Sequence, residues 1–119
     1  MSVSGGPTNP CIVLANDASL AAQELATYTL SCSGFRKALV HAVGDQTWDY
    51  YLEGRLESMA VVGQLYDAAG TKLQKTSIAA DAGVIVPVEI AGLVEFAVGL
   101  FNNHASVAMT HTLIVTLVP

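Results

Sequence analysis

The feature that most restricts the fold of this chain is the alternation of apolar and polar residues along much of its length. From residue 26 to residue 33 the even positions are apolar and the odd positions polar. Across residues 47–57, Trp48, Leu52 and Leu56 fall on one face with Tyr50. Successive side chains of a strand point to opposite faces of a sheet, so this period predicts half-buried strands.

Two further segments predict strands with different surroundings. Residues 38–43 are apolar on both faces apart from His41, which is typical of a central strand. In residues 84–90 all even positions are apolar. Pro87 interrupts that strand, and because proline has no N–H to donate, it indicates a sheet edge or a bulge.

Turn sequences separate the remaining strands. Residues 59–66 and 71–75 flank Asp67-Ala68-Ala69-Gly70, which predicts a hairpin. Residues 94–100 alternate again, and Asn102-Asn103-His104 predicts the turn into a last strand at residues 106–118.

One helix is expected. Asn16 or Asp17 can cap a run rich in Ala and Leu that ends at Leu25. The sequence therefore predicts one or two helical turns over residues 17–25.

These elements predict the fold class. About eight short strands at spacings near 8–12 residues indicate an all-β, antiparallel β-sandwich, either jelly-roll or immunoglobulin-like. Residues 11–119 form this single domain. Residues 1–10 contain Gly5-Gly6-Pro7 and Asn9-Pro10, which favour an extended N-terminal arm.

The composition favours assembly into an oligomer. Hydrophobic residues make up 52% of the 119 residues and charged residues only 13%, against roughly 25% charged residues in typical soluble domains. A small domain has too little interior to bury such an apolar excess alone. We therefore expect a homo-oligomer. The side chains expected at subunit contacts are Val3, Pro7, Pro10 and Ile12 of the arm region and Tyr51 on the polar face of its strand.

Charge and hydropathy argue against other partners. The net charge is −5, and the five basic residues form no long run, so binding to nucleic acid is not expected. Polar residues interrupt the uncharged stretch at residues 96–119, so no membrane span is expected. Residues 1–16 lack the pattern of a secretion signal. With two cysteines, Cys11 and Cys32, a disulfide is not expected, although their redox state stays open.

No group of residues has the pattern of a catalytic or metal site. His41, His104 and His111 match no metal-ligand spacing. The acidic residues Asp49 and Glu53 fit a solvated sheet face with cross-strand ion pairs better than a glycosidase pair. Neither a Gly-x-Ser-x-Gly elbow nor a phosphate-binding loop is present. The expectation is a protein that is not an enzyme and uses no cofactor or metal.

The chain resembles small β-sandwich structural proteins of bacterial virus particles, of the decoration, cement or capsid-associated type. The likeness rests on the uncharged arm, the strands rich in Thr and Val, and the segments GDQTWD at residues 44–49 and YDAAG at residues 66–70. The resemblance implies a symmetric homo-oligomer in the virion, made in the host cytoplasm, with a major capsid protein or another virion protein as partner. The alternative is a carbohydrate- or ligand-binding β-sandwich module that uses exposed aromatic residues such as Tyr51 or Tyr66.

Overall fold

The computed structural model of the protein describes residues 9–119, and these form nine strands. In chain order the strands are β1 Cys11–Leu20, β2 Leu25–Ser31, β3 Lys37–Gly44, β4 Trp48–Arg55, β5 Gly63–Gln64, β6 Gln74–Ile78, β7 Val84–Glu89, β8 Glu95–Asn102 and β9 Met109–Val118. Residues 1–8, which include Val3 and Pro7 of the predicted arm, lie outside the described residues.

The strands pair as one long nested hairpin. β1 pairs with β9, β2 with β8, β3 with β7, and β4 with both β5 and β6, and every pair is antiparallel. Two further antiparallel pairs, β3 with β9 and β4 with β8, form because this hairpin wraps around itself. The result is two sheets, sheet A with the order β1-β9-β3-β7 and sheet B with the order β2-β8-β4 and then β5 and β6.

This order is that of a jelly roll, in which each sheet takes alternate strands of the wrapped hairpin. The predicted all-β sandwich is confirmed, and of the two predicted arrangements the structure has the jelly roll. β5 and β6 follow one another along the same side of β4, so together they occupy one strand position.

The hydrophobic core lies between the two sheets. Its largest fully buried side chains come from β3, β4, β8 and β9 together with Ile90, and they include Trp48, Leu52, Phe96 and Leu113. The even positions of β2, β7 and β8 face inward, as the alternation predicts. Leu56 was expected in the core but is exposed, because β4 ends at Arg55, one residue earlier.

The predicted helix at residues 17–25 is wrong. β1 continues to Leu20, with irregularities between Val13 and Ala15 and again between Ala15 and Ala18. Asp17 has a positive φ of 50°, and its N–H donates to Thr112 Oγ1 at 3.2 Å. Pairing with β9 buries Ala15 and Leu20, which an isolated helical turn could not achieve.

The positions predicted for β3 and β7 within a sheet are confirmed, whereas β8 differs from its prediction. β3 lies between β9 and β7, and β7 with Pro87 lies at the edge of sheet A. β8 was predicted to alternate, but it lies in the middle of sheet B, where even outward-facing Ala97 is fully buried.

The predicted turn at residues 67–70 is confirmed. Asp67 Oδ1 accepts hydrogen bonds from the N–H groups of Ala69 and Thr71, both at 2.9 Å. Gly70 takes a positive φ of 83°, which glycine adopts without a Cβ clash. The flanking strands are shorter than predicted, since β5 has two residues and Tyr66 meets Lys72 only in an isolated bridge. The last strand likewise begins at Met109, three residues after the predicted start.

Candidate interaction surfaces

The outer face of sheet A carries apolar side chains on all four of its strands. The register places Val13, Ile114, His41 and Ile85 in one row, one from each strand of the sheet. Val13 is 57% exposed and Ile85 is 72% exposed. We call this surface, made by the outward side chains of β1, β9, β3 and β7, the A face.

The neighbouring rows of the A face carry little charge. Cys11, Thr116, Leu39 and Pro87 form the next row. At the margin beyond it, Lys37 Nζ lies 3.6 Å from Glu89 Oε1, and both side chains are exposed. A surface ion pair of this kind contributes little stability. Because both charges lie at the margin, the centre of the face carries no net charge.

The outer face of sheet B contains a shallow groove. Its floor is Gly99, where an added Cβ would stand 3.3 Å from Leu25 Cδ1 and 3.7 Å from Tyr51 Cβ. Leu25 and Thr27 line one side, and Tyr51, Glu53 and Gln64 line the other. We call it the B groove. Its volume is about 250 Å³, below the 300–1,000 Å³ usual for small-molecule pockets.

Tyr51 is held in the B groove by its neighbour Asp49. The Tyr51 hydroxyl donates to Asp49 Oδ2 at 3.2 Å. Burial raises the pKa of Tyr51, and the charge of Asp49 and this hydrogen bond raise it further. The hydroxyl therefore stays a neutral donor at physiological pH, and its ring stands beside the open groove.

The position of Asp49 corrects the prediction that the acidic residues of this strand lie on a solvated sheet face. The side chain is only 4% exposed. Its Oδ1 accepts hydrogen bonds from the N–H of Ser77 at 2.8 Å and from Asn103 Nδ2 at 3.0 Å. A buried carboxylate requires such partners, so Asp49 fixes β6 and the turn after β8 to the start of β4.

The expected cross-strand ion pair is present on this face with a different acid. Arg55 Nε lies 3.1 Å from Glu95 Oε1, and the two residues are direct register partners on β4 and β8. Glu57, which the sequence placed on the same strand, lies beyond the end of β4 and is exposed.

The three histidines have separate roles. His41 is exposed on the A face. His104 Nδ1 accepts from the N–H groups of Ser106 and Val107, each at 3.0 Å, and so shapes the turn before β9. His111 is buried between the sheets. Among residues 9–119, no three His, Cys, Asp or Glu side chains come together in a way that could hold a metal ion.

The buried His111 joins the two sheets through Tyr28. His111 Nε2 and the Tyr28 hydroxyl are 2.7 Å apart, although one residue belongs to β9 in sheet A and the other to β2 in sheet B. Burial lowers the pKa of His111, and the backbone of Ala18 offsets part of that effect. Burial also raises the pKa of Tyr28, so both groups are neutral near pH 7. Strand periodicity predicts which face His111 occupies, but not that a partner from the other sheet meets it.

Two of the side chains expected at subunit contacts lie at the start of β1. The carbonyl of Pro10 accepts a hydrogen bond from the N–H of Leu117 at 2.9 Å, so the sheet begins before Cys11. Ile12 is half-buried and packs against the core. Neither cysteine is in a disulfide, Cys11 being exposed and Cys32 buried. Over the described range, no helix is long and apolar enough to cross a membrane.

Comparisons with known proteins show the fold and no family. No protein family model matches the chain, and no curated protein matches it. The structure is similar to the crystal structure of the SPBc2 prophage-derived protein YomS, with a TM-score of 0.56. The match covers 98% of this chain and 99% of that chain at 16% sequence identity. The two proteins therefore share one complete domain fold.

Proposed function

We propose that this chain is a non-enzymatic structural component of a bacterial virus particle and acts through subunit contacts. The observation that carries the proposal is the A face, where Val13, Ile114 and Ile85 lie in one row with His41 across four strands. The largest exposed apolar patch of a protein is often a site of contact with a partner. A neighbouring copy of the chain, a major capsid protein or another virion protein is the partner that would cover it.

The size of the A face fits such a contact. Four strands about 4.8 Å apart, over the six residues of the shortest strand β7 at about 3.4 Å each, span roughly 400 Å² in projection, polar side chains of the face included. The largest apolar patch of a typical monomer covers about 300–600 Å² and is often functional. The A face is therefore large enough to form the core of a standard interface, with the Lys37–Glu89 pair at its polar rim.

The fold supports the same proposal without deciding it. Jelly rolls serve as viral capsid domains, but also as lectins and cupins. The similarity to a prophage-derived protein over the full length of both chains favours the first of these uses.

The assembly part of the proposal is tested by native mass. Light scattering coupled to size-exclusion chromatography across a dilution series is expected to give a closed oligomer. Ile85→Lys places a charge at the β7 end of the A face, at a side chain that is 72% exposed, and is expected to weaken assembly, whereas Ala80→Lys at an exposed turn is expected to leave it unchanged. A monomer at every concentration would contradict self-assembly.

The particle part of the proposal has its own test. Particles made by the virus or prophage that encodes this chain are purified through a density gradient and analysed by quantitative mass spectrometry. We expect the chain in a fixed copy number relative to the major capsid protein. Absence of the chain from purified particles would refute a virion role even if the protein forms an oligomer.

A second candidate function is ligand binding in the B groove, favoured by the ring of Tyr51 beside Glu53 and Gln64. Aromatic rings next to acidic and amide groups are typical of carbohydrate sites. A glycan array screens for binding, and Tyr51→Ala is expected to abolish it. Tyr66→Ala is the matched control because Tyr66 is exposed on the hairpin outside the groove. Absence of binding to every glycan would count against this candidate.

A further inference from the structure

The edges of the two sheets differ in how they are protected against pairing with another chain. An edge strand presents unpaired N–H and C=O groups, and proteins commonly block it with proline, bulges, charge or very short strands. Sheet A ends in β1 and β7, and sheet B ends in β2 and in β5 with β6. Three of these four edges carry such a device.

The devices are visible in the register of each strand. β1 has two irregularities and a positive φ at Asp17. β7 contains Pro87. β5 has two residues, and β6 carries Lys75, a positive φ at Ser77 and an irregular register with β4. None of these three edges offers a long regular row of backbone groups.

β2 lacks all of these devices within the described part of the chain. Its sequence Leu25–Ser31 has no charge, no proline and no glycine. All seven residues pair with β8 in an unbroken register. Thr27, Thr29 and Ser31 are exposed along it, and Leu25 is 56% exposed. β2 is thus a flat, neutral edge strand of the kind that native proteins normally avoid exposing.

Hydrogen-bond alternation identifies the backbone groups that β2 presents. The N–H of Cys32 donates to the carbonyl of Val94 at 3.0 Å, and the N–H of Asn102 donates to the carbonyl of Glu24 at 3.0 Å. The even residues therefore bond to β8, because bonded and non-bonded pairs alternate in an antiparallel ladder. The N–H and C=O groups of Leu25, Thr27, Thr29 and Ser31 point to the open edge.

We propose that β2 pairs antiparallel with β2 of a second copy of this chain, so that sheet B runs continuously through a two-fold dimer. The inference rests on the proposed function and names the surface by which the subunits meet. Because the other described edges are blocked, the edge that can pair with β2 of one copy is β2 of a second copy. Such a contact uses the same strand on both sides and closes the assembly at two copies.

The sequence of β2 is self-complementary in the register centred on Tyr28. Thr27 then lies opposite Thr29 of the second copy, and Leu25 lies opposite its Ser31. All four outward-facing residues of each copy fall in hydrogen-bonded pairs, which gives about eight new backbone hydrogen bonds. No like charges meet, because β2 carries none.

The centre of this register brings two tyrosines together. Tyr28 and Tyr28 of the second copy form a non-hydrogen-bonded pair, in which Cα atoms approach to about 4.5 Å and side chains lie closest. Tyr28 is half-buried, and its hydroxyl is already fixed by His111. The edge is therefore ordered before pairing, which lowers the entropic cost of association.

The experiment combines native mass with residue-specific amide exchange by NMR. In the dimer, the amides of Leu25, Thr27, Thr29 and Ser31 are expected to exchange slowly, and on dilution to monomer they are expected to exchange quickly. The amides of Ala26, Tyr28 and Leu30 bond to β8 and are expected to stay protected in both states. This alternation along a single strand distinguishes edge pairing from a contact made by the sheet face.

Thr29→Pro removes one outward N–H from each copy while leaving the bonds to β8 intact, just as Pro87 does on β7. We expect a rise in the dimer dissociation constant of roughly 30-fold, since two hydrogen bonds are lost per dimer. The double variant Thr27→Lys and Thr29→Lys tests the same edge without altering the backbone, because it sets like charges directly opposite each other. Thr76→Lys on the exposed part of β6 is the matched control and is expected to keep the dimer.

The outcomes separate this inference from the proposed function. An oligomer that Ile85→Lys disrupts and the β2 variants do not, with fast exchange at Leu25, Thr27, Thr29 and Ser31, would overturn pairing through β2 and leave the structural role standing. A monomer at every concentration would overturn pairing through β2 and self-assembly, whereas the virion role would still be decided by whether purified particles contain the chain. A third outcome is that the amides of Leu25, Thr27, Thr29 and Ser31 stay protected on dilution and lose this protection only when residues 2–8 are deleted. That result would mean that the N-terminal residues occupy the edge, and it would refute pairing of two β2 strands.

Discussion

Asp49 and His111 show how a single residue acquires its role from partners that are distant in sequence. Both stand in strands whose alternation predicts which face they occupy, and both are buried. Asp49 accepts from the backbone of Ser77, 28 positions along the chain, and His111 meets Tyr28, 83 positions away. Burying such groups is tolerated because each has a partner at hydrogen-bonding distance.

The lowered pKa of His111 predicts a pH dependence of stability. Burial holds the pKa of His111 below its ordinary value of 6.5 in the folded chain, whereas the unfolded chain titrates near that value. Between these two pKa values the unfolded state binds more protons, so the free energy of unfolding decreases as the pH falls below about 6.5. One group contributes at most about 1.4 kcal/mol per pH unit.

His111→Gln is the variant that tests this origin of the pH dependence. The groups that face the ring are the Tyr28 hydroxyl from sheet B and the register neighbours Ala18 and Gly44. Urea unfolding, followed by circular dichroism from about pH 5 to pH 7.5, is expected to show a shallower slope for the variant. Equal slopes for both proteins would mean that other groups control acid stability.

At the scale of elements, the four sheet edges differ more than the sequence of each strand suggests. β2 and β7 are both edge strands of similar length, with seven and six residues. In β7 the N–H of Ile90 donates to the carbonyl of Arg36 at 2.9 Å, so by alternation the nitrogen of Pro87 points away from β3. Pro87 therefore removes a donor from the open edge at no cost to sheet A.

Replacing Pro87 with threonine is expected to unblock this edge. The folded state loses no hydrogen bond, so the free energy of unfolding should change by about 1 kcal/mol or less. Self-association should increase, because β7 then presents a complete row of donors and acceptors. Light scattering over time measures the association, and Ala91→Thr, just beyond β7, is the control. A large loss of stability would instead show that the proline has a structural role within sheet A.

At the scale of the whole molecule, the nested hairpin places one continuous core between the sheets. β1 at one end of the chain pairs with β9 at the other, so no part of the sandwich is complete until both ends have joined. Such a core is expected to unfold as one cooperative unit.

Cys32 provides a direct measure of this cooperativity. Its side chain is fully buried and its Sγ lies 3.5 Å from the carbonyl of Leu93. Burial raises the pKa of the Cys32 thiol, and the charge of Glu95 raises it further, so the reactive thiolate is scarce in the folded state. In a Cys11→Ser variant, thiol labelling in increasing urea is expected to follow the loss of the circular-dichroism signal. Labelling at lower urea would reveal partial opening of sheet B.

The sequence by itself determined most of the strands from β2 onward and most of their inward faces, and it limited the strand with Pro87 to a sheet edge or a bulge. The alternation at residues 26–33 and 84–90, the turn at residues 67–70 and Pro87 are local signals, because periodicity and missing donors act within a few residues. The same local reasoning failed at residues 17–25, where Ala and Leu favour a helix and pairing with β9 extends a strand instead.

Tertiary structure alone decided which strands became neighbours, and therefore which surfaces are open. The row from Val13 to Ile85 on the A face unites residues 72 positions apart and exists only because β9 and β3 lie between β1 and β7. The B groove, the contact of Tyr28 with His111 and the open edge of β2 likewise depend on strand order. Strand order is fixed by the joint burial of both sheets, which no local pattern encodes.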